Sequence, residues 1–89
     1  MSDDTLAAIR ARFRLRALAD ADALAAALDA GDPGQIEALV HGLAGAAGIF
    51  GFTEISEQAK AADGAFAGGR APTRAEIETL IALILREMA

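Results

Sequence analysis

No cysteine occurs in the chain, and tryptophan and tyrosine are equally missing. Without thiols there is neither a disulfide framework nor a thiolate metal site, so the fold rests on packing alone and redox chemistry is excluded. Positive charge is scarce too: eight Lys and Arg stand against thirteen Asp and Glu, a formal net charge of −5. That sign opposes nucleic acid and anionic membrane surfaces, which carry the same charge. The first residues, Met1-Ser2-Asp3-Asp4, are acidic, and no apolar run reaches the length of a signal core or a membrane span. The expectation is a cytoplasmic chain without nucleic-acid or membrane partners.

What is present in quantity is alanine, 24 of the 89 residues, with another 24 supplied by Leu, Ile, Phe, Met and Val40. One domain spanning 1–89 is expected, with a core that is small but sufficient. So short and Ala-rich a chain leaves little room to enclose a ligand, which moves the function to the outer surface.

Alanine is the best helix former, and the breakers cluster at Gly31 to Gly34, Gly42 to Gly51 and Gly64 to Pro72. The class is therefore all-α. From about Ser2 to Ala30, Leu6, Ile9, Phe13, Ala17, Ala21, Leu24 and Leu28 keep helical phase, which fits one long helix or two joined ones. Asp32-Pro33-Gly34-Gln35 starts the next helix, with an acceptor for free amides, a preset φ and a capping-box Gln. Thr53-Glu54 reads as another N-cap with an acidic first turn, ahead of a stripe of Ile55, Ala59, Ala62 and Phe66. Pro72-Thr73-Arg74-Ala75-Glu76 is a Thr-x-x-Glu box before Ile77, Leu80, Ile81, Ile84 and Met88. Short loops make neighbours antiparallel, so the expected architecture is an up-and-down antiparallel four-helix bundle, its N-terminal helix whole or broken in two.

One segment resists this plain reading. With Ile36 at zero and about 100° per residue, Leu39, Val40, Leu43 and Ala47 fall within roughly 60° of it and form the buried arc. On the same wheel His41, the sole histidine, lies about 140° round, with Ala44 near 80°, Gly48 near 120° and Gly45 near 180°. The ring points outward from a surface stripped of bulk, with Glu37 the nearest charge one turn earlier. Three interior glycines, Gly42, Gly45 and Gly48, cost a helix roughly 2 to 3 kcal/mol relative to Ala. Close helix packing is one explanation; access for a partner is the other, and Gly45, opposite the buried arc, favours access.

A metal site needs more ligands than a solitary His with no Cys and no carboxylate at i+3 or i+4. A Ser-His-Asp arrangement needs an enclosure that an exposed helix face does not supply. Imidazole as a nucleophile remains: its ordinary pKa of about 6.5 leaves much of it neutral at physiological pH. Neutral imidazole can accept a phosphoryl group, a reaction that needs in-line positioning and charge stabilisation more than a deep pocket.

The run His41-Gly42-Leu43-Ala44-Gly45-Ala46-Ala47-Gly48-Ile49-Phe50-Gly51 resembles the signature of histidine phosphotransfer (HPt) domains. The shared pattern is His, an apolar residue at +2, Gly at +4, small residues at +5 and +6, and Gly at +10. The resemblance implies a helical bundle in which His41 takes a phosphoryl group at Nε2 from a receiver aspartyl phosphate and passes it to another receiver. It also implies that Gly42, Leu43, Ala44, Gly45 and Gly48 lie within or beside the docking surface. Partners would be response-regulator receiver domains and a hybrid sensor kinase, and the chain would be a monomeric carrier with no catalytic turnover of its own. No cofactor is expected on this chain, the Mg²⁺ residing on the receiver. The family commonly has Lys at +3, where this chain has Ala44, so a replacement cation would come from Lys60 or from the Arg10 to Arg16 group. The alternative is a non-catalytic interaction module, a degenerate relative that docks a receiver or kinase without carrying phosphate.

Overall fold

The computed structural model describes residues 3–89 of the chain. Four helices follow one another: α1 (Asp3–Ala30), α2 (Pro33–Ile49), α3 (Thr53–Ala67) and α4 (Arg74–Met88), with no strand among the described residues. The Ala-rich flanks carry α1 through the alternating arginine stretch unbroken, which settles the choice between one helix and two. Ser2, where that helix was expected to start, lies outside the described residues. At about 1.5 Å per residue, the 28 residues of α1 account for the 42 Å long axis of the molecule.

Each connection turns on a glycine whose φ is positive, at Gly31 (62°), Gly51 (82°) and Gly69 (82°), where a side chain would be strained. Two of the expected caps form: Asp32 Oδ1 accepts from the Gln35 amide and Thr73 Oγ1 from the Glu76 amide, each at 3.1 Å. Thr53 does not cap. The N-cap of α3 is Phe52, which makes no side-chain capping bond. Its ring stacks on Phe13 at 5.5 Å and lies beneath the Arg10 guanidinium at 5.0 Å, while its amide bonds the Ala47 carbonyl. Packing of that ring, rather than a hydroxyl, sets where the helix begins.

Neighbours in the chain pack together and α4 returns to α1, closing a ring of four helices. The core runs through Phe13, Leu24, Val40, Leu43, Ile55, Ile77, Leu80, Ile84 and Met88, all buried. The buried residues of α2 and α3 include Ala44 and Ala47 on one and Ala59 and Ala62 on the other, small side chains that suit close packing along a seam between helices. Ser56, the buried polar side chain in that seam, donates to the Ala44 carbonyl at 2.9 Å, which removes the penalty of burying its hydroxyl. Arg14 ties α1 to the end of α4 by donating from Nε to the Met88 carbonyl at 2.7 Å.

Candidate functional site

His41 stands on the outer face of α2 with 78 % of its side chain exposed. Its Nδ1 is 3.0 Å from Oδ2 of Asp63, on α3. An ionised carboxylate can only accept, so Nδ1–H is the donor, and in the neutral form of the ring the lone pair is then on Nε2. The pair thereby fixes both the tautomer and the ring orientation. Sequence reading set Glu37 as the nearest charge, but the group that meets the ring belongs to the neighbouring helix. His41 and Asp63 lie eleven residues either side of Phe52, equally far along an antiparallel hairpin.

The glycines of α2 differ in what surrounds them. A Cβ built on Gly45 would meet nothing within 4 Å, and this residue is exposed beside the ring. Gly48 is also exposed, yet its Cβ would lie 3.1 Å from Ser56 Oγ, so close packing against α3 accounts for it. Gly42, half-buried, faces α1 instead: its Cβ would fall 2.9 Å from Nη2 of Arg16. Packing thus accounts for Gly42 and Gly48 and does not account for Gly45.

Two of the expected docking positions do not reach the surface. Leu43 has no exposure and Ala44 only 6 %. A residue at +2 lies about 200° round the helix from His41 and cannot share its face. Ala44 is covered by α3, whose Ser56 takes its carbonyl. The outer surface beside the ring consists of Gly45 and Gly48, and two turns on, of Ile49 at 79 % exposure. Ile49 was not singled out in the sequence, although the wheel that turns His41 outward puts Ile49 about 220° from Ile36, outside the buried arc.

The four closely spaced arginines of α1 are all exposed, and they are engaged differently. Arg14 holds the α4 terminus and Arg10 covers Phe52, whereas Arg12 and Arg16 border a shallow depression with Ile9, Phe13 and Phe50, on the side of α1 toward α2. Arg16 Nε also lies 3.6 Å from Oδ2 of Asp20, one turn on. Burial pushes the Asp20 pKa up by more than the adjacent guanidinium pulls it down. Lys60 is exposed on α3, one turn before Asp63. Among the described residues no three His, Asp or Glu side chains are grouped to hold a metal ion.

An outward imidazole whose Nδ1 is tied to a carboxylate leaves Nε2 as the ring atom able to act as a nucleophile. The Hpt domain family model matches residues 8–89. The chain belongs to the Hpt domain family. As an Hpt domain it is a phosphotransfer module of two-component signalling, a class that interacts with the receiver domains of response regulators and hybrid kinases. No curated protein and no solved structure matches the chain significantly. No helix of this Hpt domain, among the described residues, is long and apolar enough to cross a membrane.

The Asp63 contact carries an expected outcome of its own. Asp63→Ala should slow phosphoryl uptake by about ten-fold, the value of one charge-assisted hydrogen bond of about 1.5 kcal/mol. Thermal unfolding should hardly move, since an exposed pair adds little to stability. Stopped-flow or quench-flow transfer assays beside a melting curve read both.

Proposed function

We propose that His41 is the phosphoryl-accepting residue of a phosphorelay carrier, receiving the group from the aspartyl phosphate of one receiver and yielding it to another. The observation that carries this is the free Nε2, left as the acceptor because Asp63 occupies the other nitrogen. In the transfer, the Nε2 lone pair attacks phosphorus, an Nε2–P bond forms, and the acyl phosphate P–O bond breaks. The receiver carboxylate leaves with the electron pair. The proton remains on Nδ1, and the positive charge that develops on the ring is met by the Asp63 carboxylate, which explains why an acid sits there.

Docking is assigned to the face around Gly45 and Gly48, with Ile49 as an apolar contact at its edge. The receiver supplies its own acidic pocket and Mg²⁺, so this chain contributes the nucleophile and a surface. The reading places it in the cytoplasm, working as a monomer. Incubation with a phosphorylated receiver should give a phosphate on this chain that is labile in acid and stable in base. A chain that binds the receiver yet takes up no label is the degenerate module, and the carrier reading then fails.

A further inference from the structure

A phosphoryl group on His41 brings close to two negative charges and three strong acceptor oxygens to a helix face on which the position one turn on, Ala44, is buried and apolar. Asp63, the charge already in contact with the ring, has the wrong sign for those oxygens. A cation is needed beside His41, and α1 provides one at a defined place. The Arg16 guanidinium lies where the side chain of residue 42 would be, 2.9 Å from the position of a Cβ on Gly42, the residue next to His41. It does so from the flank of α2 opposite Asp63, because α2 packs between α1 and α3. We infer that Arg16 is the cation that binds the phosphoryl group on His41, and that residue 42 is glycine so that the guanidinium can lie across α2.

Three features fit this assignment. The Arg16 side chain is 51 % exposed, so it can swing outward. Its ion pair with Asp20 is made through Nε, at 3.6 Å, while Nη2 is the atom that lies over Gly42. The planar fork matches phosphoryl oxygens better than an ammonium does. Of the other cations of α1, Arg10 and Arg14 are committed to Phe52 and to the Met88 carbonyl.

The inference rests on the carrier reading, and the test separates the two. Phosphoramidate is used as a small donor, which breaks its P–N bond, releases ammonia and requires no partner protein. The wild type, R16Q, R16K and G42A are loaded with it, and the bound phosphoryl group is titrated by phosphorus NMR. The inference predicts that R16Q loads about ten-fold more slowly and that its phosphoryl group titrates at higher pH than in the wild type, because a neighbouring cation favours the dianion. R16K should recover part of both effects. G42A, which adds a methyl where Nη2 lies and raises helix propensity, should shift the titration in the same direction as R16Q while melting no lower than the wild type. If the wild type loads and both R16Q and G42A match it in rate and titration, Arg16 has no such role, though the carrier reading stands. If the wild type takes no phosphate on His41, both fail together.

Discussion

His41→Gln is expected to reduce phosphoryl uptake from a phosphorylated receiver to background while leaving the protein folded and the receiver bound. The side chain is largely in water and its hydrogen bond to Asp63 is itself exposed, so stability should change by no more than about 0.5 kcal/mol. Glutamine keeps comparable length and polarity but has no nucleophilic nitrogen, so the chemistry is removed and the docking surface is kept. Label retained on the variant would assign the phosphate to another residue. Lost binding would show that the ring is a docking contact in its own right.

Gly45→Leu should separate stability from function in the opposite sense. Nothing lies within 4 Å of a Cβ at this position and the residue is exposed, so the leucine meets no atom of the bundle. Replacing an interior helical glycine should raise the unfolding free energy by about 0.5 to 1 kcal/mol. The same side chain stands beside Nε2 in the path of an incoming protein, and transfer from a receiver should fall at least about ten-fold, a loss of about 1.4 kcal/mol in complementarity. Loading by a small donor such as phosphoramidate should be nearly unaffected, because a small molecule can pass the obstruction. Denaturant melts with the two transfer assays check all three. A leucine that stabilises and leaves receiver transfer intact would mean that the bare face has no docking role.

The fold was open to sequence reasoning wherever the cause is local. Helical phase, the alanine content and the breakers around Gly31, Gly51 and Gly69 locate all four helices, and Asp32 and Thr73 cap as their side-chain chemistry dictates. Thr53 misled because the start of α3 is decided by the Phe52 ring against Phe13, a contact between residues 39 apart that no cap rule contains. At the site, the outward direction of His41 follows from the wheel alone. Its partner does not: Asp63 meets the ring only through the register of α2 against α3, and the symmetric spacing about Phe52 is the signal that finds it.

Leu43 and Ala44 show the converse limit. A family motif specifies sequence positions, and neighbouring positions on a helix face different directions, so the motif's expectation of residues within or beside the docking surface took in two that are core. The sequence names the Arg10 to Arg16 group as a source of a cation, but which of its members reaches α2 is decided by the packing of α1, which sets the Arg16 guanidinium over Gly42.

The free Nε2 is the claim on which the account turns, and nitrogen NMR of the histidine ring examines it at the atom concerned. In the unphosphorylated protein the proton should reside on Nδ1, held by Asp63, and after transfer from a receiver the phosphorus coupling should appear on Nε2 alone. Phosphorus on Nδ1, or a proton on Nε2 and none on Nδ1 in the neutral resting ring, would contradict it.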